Sequence, residues 1–145
     1  MGSERFKEEA ENQEVIEVAA GLVFHNGRLL ITQRRAEDHL GGLWEFPGGK
    51  RRLNEEFEAC LRRELEEELD IAVEIGELIQ CVTHRYPEKS VHLKFYRCRL
   101  CAHEPQPIGC QALAWVTLPE LRQYSFPAAD ARLLDKLENA PELWR

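Results

Sequence analysis

Two apolar runs, VIEVAAGLVF from Val15 and RLLITQR from Arg28, are separated only by His25-Asn26-Gly27. Asn and Gly tolerate positive φ better than other residues, so Asn-Gly between two such runs specifies a tight β-hairpin. A hairpin this apolar needs cover, which commits the chain to a sheet with other elements packed on it. At 145 residues, 43% of them hydrophobic, the chain has the length of one domain and enough apolar surface for a core.

The rest of the sequence supplies the cover. Residues 1–13 are polar and aperiodic and are expected to form a mobile tail, with residues 14–145 as a single domain. AEDHLGGLWEFPGGKRRLN is rich in Gly and holds Pro47, so regular structure is not expected there. Asn54 is placed to cap a helix over about residues 55–69, with acidic residues in its first turn. Residues 71–85 and 91–100 read as strands around a turn at 86–90, and 112–116 as a further short strand. Pro119 marks the start of a short helix, and Ala131, Leu134 and Leu137 have helical spacing in 128–137. Strands and helices intermix, which predicts an α/β protein with a sheet covered by helices.

Charge and composition exclude several functions. Nineteen Lys and Arg against 26 Asp and Glu give a net charge of -7, the wrong sign for general binding to a nucleic acid polymer. No apolar run approaches the roughly 20 residues of a membrane span, and MGSERFKEEAENQE lacks the apolar core of a signal peptide, so no membrane partner and a cytoplasmic location are expected. The five cysteines are an odd number and are expected to be reduced. Cys98 and Cys101 have zinc-like spacing beside His103, but without a second such pair they read as strand residues.

The predicted helix contains RELEEEL at residues 63–69. At 100° per residue Phe57, Leu61, Leu65 and Leu69 form an apolar stripe, and Glu64, Glu67 and Glu68 share a sector at its edge with Cys60. Glu66 points away. Three carboxylates at i, i+3 and i+4 repel one another, and a half-buried position worsens the repulsion, so a cation is expected among them. Oxygen donors with high negative charge suit Mg²⁺, with Mn²⁺ the alternative. Upstream, Gly48-Gly49 lets the backbone approach a ligand, and Lys50-Arg51-Arg52 supplies charge for phosphates.

Gly49, five residues, Glu55, seven residues, Arg63-Glu64-Leu65, one residue, Glu67-Glu68, one residue, Asp70-Ile71 resembles the Nudix box, with Asp70 at the family's second Gly. AAGLVF, LLITQRR, LWEFPGGK, QALAW and SFPAAD extend the resemblance to the MutT-like branch. It implies a Nudix-type α/β/α sandwich with a mixed β-sheet, and an enzyme that splits a nucleoside triphosphate into monophosphate and pyrophosphate. Carried over, Glu64, Glu67, Glu68 and the Gly48 carbonyl would hold the metal, with Glu64 as base. Arg63 would orient the glutamates and Glu55 would brace the loop. Arg34 and Lys50 would meet the triphosphate, while Phe46, Tyr86 and Asp130 would lie near the base. The implied substrate is a small nucleotide, 8-oxo-dGTP first and a cytidine triphosphate second, acted on by a monomer or homodimer. The competing reading is a nucleotide sensor with little activity, because Gly109 stands where related sequences carry a Glu. Glu104 is the candidate replacement, and restoring a carboxylate at Gly109 is expected to raise the rate if Glu104 does not fill the role.

Overall fold

The computed structural model describes residues 14–145, so the expected tail lies outside the described residues. Strand β1 (Glu14–His25) turns into β2 (Arg28–Gln33) through Asn26 and Gly27, both at positive φ, 51° and 75°. Phe24 faces Leu29 and His25 faces Arg28 in an antiparallel pair. The hairpin is the one that Asn-Gly demands. Its strands then diverge to recruit other partners. β1 runs parallel to β6 (Lys89–Ala102) and, over Val18–Ala20, antiparallel to β4 (Gly48–Lys50). β2 pairs with β3 (Trp44–Glu45) and with β7 (Ala112–Val116), and β5 (Ala72–Arg85) closes the far edge on β6. The result is a mixed sheet in the order β3-β2-β1-β6-β5.

Six consecutive residues of β1, from Ala19 to Phe24, are buried, as a central strand covered on both faces requires. The pleat divides them between two cores. Ala19, Val23 and Leu30 pack under helix α1 (Phe57–Leu69) with Leu61, Leu65 and Leu69. Ala20, Leu22, Phe24, Leu29 and Ile31 pack on the opposite face with Leu133, Leu134 and Leu137 of helix α2 (Ala131–Glu138). These are the two helical layers of an α/β/α sandwich. Among the described residues no helix is long and apolar enough to cross a membrane.

Several sequence expectations need correction. The segment expected to be irregular contributes β3 and β4, because each needs only two or three residues of backbone pairing on an existing strand. Helix α1 begins at Phe57, and Asn54 does not cap it: Asn54 sits in a left-handed turn, φ 63°. The Glu55 carboxylate accepts the Arg52 N–H at 3.1 Å, which holds this turn and delays the helix. Ala131 is exposed, and the buried face of α2 is Leu133, Leu134 and Leu137 after a 3-10 turn at Ala128–Asp130. Pro119 lies in the first turn of a 3-10 helix, Leu118–Gln123, whose N-terminus carries a Thr117/Glu120 capping box. Cys98 and Cys101 are, as expected, both residues of a strand, β6, the first buried and the second exposed.

Candidate active site

Pairing of β4 with β1 lays Gly48 and Gly49 beside α1. A Cβ on Gly48 would overlap the Ala19 carbonyl, and one on Gly49 would overlap the Glu64 carboxyl. The two glycines therefore allow a carboxylate of the helix to reach the strand backbone. Arg63 organises the junction. Its guanidinium grips Glu55 through two hydrogen bonds of 2.8 and 2.9 Å, Glu64 at 2.8 Å, Glu67 at 3.3 Å and the Lys50 carbonyl at 3.2 Å. Hydrogen bonding to Arg63 holds the Glu55 carboxyl down at about 2 and raises the arginine's own pKa. The helix edge, the loop after β4 and the strand are thus tied into one unit by a single side chain.

A cavity of about 470 Å³ opens from this junction across the α2 face of the sheet, within the range of small-ligand pockets. Of the residues singled out from sequence, Arg34, Phe46, Gly48, Lys50, Glu64, Glu68, Tyr86 and Asp130 line it. Arg63 stands behind Glu64. Glu67 lies at the margin, its side chain 53% exposed and drawn outward to Arg63 and Arg52. Its lining includes Glu64 and Glu68 of α1 together with the buried Asp130 and Phe46, whose ring stacks on Phe126 at 5.2 Å. Desolvation pushes the Asp130 carboxyl up to about 7, with nearby Glu45 adding to the shift.

The residues present fit a hard divalent cation by donor chemistry. The Glu68 carboxyl is raised to about 8, first by burial and then by Glu64, Glu45 and Glu67, with Arg34 offsetting only part. Carboxyl oxygens are therefore crowded at this edge, where Arg63 is shared among Glu55, Glu64 and Glu67, and Glu68 is driven towards its neutral form, a crowding that a hard cation would relieve. As placed, no three acidic, His or Cys side chains among the described residues form a closed metal cage. An Mg²⁺ or Mn²⁺ that keeps open positions for substrate oxygens does not require one.

A Nudix-domain profile matches residues 19–136, most of the chain. The chain belongs to the Nudix family. It is 36% identical over 126 residues to the CTP pyrophosphohydrolase of Escherichia coli K12, covering 83% of this chain and 90% of that one. It is 35% identical over 129 residues to the 8-oxo-dGTP diphosphatase of Haemophilus influenzae, covering 88% and 95%. The crystal structure of the MutT Nudix hydrolase from Burkholderia pseudomallei superposes with a TM-score of 0.77 at 27% identity, covering 86% of this chain and 99% of that one. The sheet and its two helical layers are those of a MutT-like Nudix hydrolase, and by its family and relatives the protein is an enzyme of that class.

Within this Nudix hydrolase, sequence reasoning missed Glu45. It lines the cavity between Glu68 and Asp130 and accepts a 3.0 Å hydrogen bond from Arg34 Nη1, while Arg34 Nε donates to the His39 carbonyl at 2.6 Å. Of the two residues expected to meet the triphosphate, Arg34 is therefore already paired. Burial raises the Glu45 pKa and Arg34 works against the rise. A lone Glu between Trp44 and Phe46 was the available signal, since a carboxylate amid aromatics is either exposed or functional. His39, His84 and Lys89 also line the cavity around Tyr86, whose ring meets His84 at 4.6 Å and His39 at 5.7 Å. Glu104 is exposed and does not line the cavity, and Gly109 is pressed against Glu68.

Proposed function

We propose that this Nudix hydrolase cleaves a nucleoside triphosphate to the monophosphate and pyrophosphate, with 8-oxo-dGTP as its first substrate and a cytidine triphosphate as its second. One observation carries the reading: a single cavity is lined both by the α1 carboxylates Glu64 and Glu68 and by buried Asp130 with the aromatic rings of Phe46 and Tyr86. These two kinds of lining match the two halves of a nucleotide.

Glu64, Glu68, Glu67 and the Gly48 carbonyl are the groups that would hold Mg²⁺ or Mn²⁺. Bound there, the metal would neutralise phosphate oxygens and acidify a water molecule. Arg63 holds Oε1 of Glu64 at 2.8 Å, leaving Oε2 to accept the proton of the attacking water. Lys50 meets the phosphate chain directly. Arg34 does so by exchanging Glu45 for phosphate oxygens, a partner its planar guanidinium binds equally well. Phe46, fixed by Phe126 and Phe95, and Tyr86 both line the cavity and supply rings for the base to pack against.

Asp130 sets the base preference. Ionised, above about pH 7, it only accepts hydrogen bonds, which suits the N7–H that guanine gains on oxidation and the exocyclic amine of cytosine, and disfavours the N7 acceptor of normal guanine; protonated at lower pH, it can donate to a guanine O6, so the preference should weaken or reverse as pH falls. Names of relatives at 35% and 36% identity support both substrates. The test is kcat/KM for 8-oxo-dGTP, dCTP and dGTP with the wild type and Asp130→Ala. Both preferred substrates should exceed dGTP, and the substitution should narrow the gap by about 1 to 3 kcal/mol, the usual worth of a good base contact. Unchanged ratios would remove Asp130 from base recognition.

A further inference from the structure

The segment between β6 and β7 holds Gly109, where the MutT-like pattern has a carboxylate, and its contacts give that position a different task. A helix leaves its last carbonyls without intrahelical donors. Here the N–H groups of Ile108 and Gly109 both donate to the Glu68 carbonyl, at 3.1 and 3.0 Å, and the Gln106 N–H donates to that of Leu69 at 2.9 Å. The segment is also pinned from its other side, by Arg35 Nη2 donating to the Ile108 carbonyl at 2.8 Å and by the Gln111 N–H donating to the Gln33 carbonyl at 2.9 Å. Gly109 is thereby brought so near Glu68 that a Cβ would stand 2.9 Å from Cγ, 3.1 Å from Cβ and 3.2 Å from Cα of that residue. These are the inner atoms of a helical side chain. They can yield only if the Glu68 side chain turns to another rotamer or the segment lifts from the helix.

We infer that Gly109 is a positioning residue: its bare backbone seats the segment on the last turn of α1 and fixes the torsion that aims the Glu68 carboxylate into the cavity. A side chain at this position adds no donor to the site and displaces one already there. The expectation that Gly109→Glu raises the rate is reversed. The inference rests on the reading of Glu68 as a metal-holding group.

The test measures Mn²⁺ affinity by titration calorimetry, Tm and steady-state kinetics for the full chain and four variants. Groups that orient metal ligands are worth about 10- to 100-fold in metal affinity, so Gly109→Ala should weaken Mn²⁺ binding by about tenfold or more. It should lower kcat while leaving the nucleotide KM nearly unchanged, and Gly109→Glu should do no better. Arg35→Ala leaves α1 and Gly109 intact but removes an anchor of the segment, so it should show a smaller loss. Ile108→Ala, whose side chain is 54% exposed, should bind as the wild type does. The inference is overturned if Gly109→Ala binds Mn²⁺ like the wild type, or if Gly109→Glu binds it more tightly. Should Gly109→Ala fail to fold, unchanged binding by Arg35→Ala overturns it instead. A wild type that binds no Mn²⁺ overturns the metal reading of α1, and this inference with it.

Discussion

Asp130 is a carboxyl kept close to neutrality by burial, and that has a consequence for stability as well as for base recognition. Its pKa is near 7 in the folded protein against an ordinary value of 3.8. Between those values the folded state binds the proton and the unfolded chain does not, so stability falls as pH rises from about 4 to about 7 and levels off above. Asp130→Asn should remove this slope, leaving stability little changed at pH 4 and raised at pH 8 by at most about 4 kcal/mol at 1.36 kcal/mol per pKa unit, read as a higher Tm at pH 8 only. Parallel melting curves for the two proteins across that window would refute the assignment. Glu68 shows the same tension between stability and function. Glu68→Gln relieves the crowding of carboxylates, so the metal-free Tm should rise while the rate falls by at least about a hundredfold. Glu66→Gln, on the solvent side, should change neither. The carboxylates of α1 were legible in the sequence because helical periodicity places them. Glu45 was not, because its meaning depends on Arg34 and Asp130, which are close only in three dimensions.

Helix α1 is the element that sequence predicts best at its centre and worst at its start. The stripe of Leu61, Leu65 and Leu69 is fully buried, and Phe57 is half-buried beneath the Lys94 ammonium at 4.1 Å. Leu65→Ala should therefore cost about 2 to 5 kcal/mol, the range for emptying a packed leucine site. The start moved because Glu55, expected to be the helix's first residue, instead holds the preceding turn by accepting the Arg52 N–H. The end behaves as the Nudix box requires: Asp70 adopts φ 56° and ψ 41°, and its N–H reaches the Glu66 carbonyl at 2.9 Å. Glycine pays no steric penalty there, so Asp70→Gly should raise stability by about 0.5 to 1 kcal/mol without altering kcat. A loss of stability on thermal melting would mean that the Asp70 side chain contributes more than its backbone strain costs. Strands β3 and β4 escaped the sequence altogether, since two or three residues carry no periodicity. They exist because β1 and β2 offer them an edge.

At the scale of the whole molecule, the cavity draws on β1, β3, β4, α1, the β5–β6 hairpin and the turn before α2. Only the spacing of the Nudix box announced that these distant segments converge, because long-range packing leaves little trace in local pattern. The hairpin and the alternation of strands with helices were enough for an α/β sheet, and the parallel pairing of β1 with β6 was visible only in three dimensions. If α1 holds a divalent cation, adding Mg²⁺ at 100 times its Kd should stabilise the fold by about 2.7 kcal/mol, read as a rise in Tm, since the ion binds only the folded state. The most direct test of the cavity as a pyrophosphohydrolase site is ³¹P NMR of the products formed from 8-oxo-dGTP and Mg²⁺ by the wild type and by Glu68→Gln. Nucleoside monophosphate and pyrophosphate in equal amounts, formed by the wild type and nearly absent with Glu68→Gln, are expected; nucleoside diphosphate and orthophosphate, or equal turnover by the two proteins, would show that the reaction is not the one proposed for this cavity.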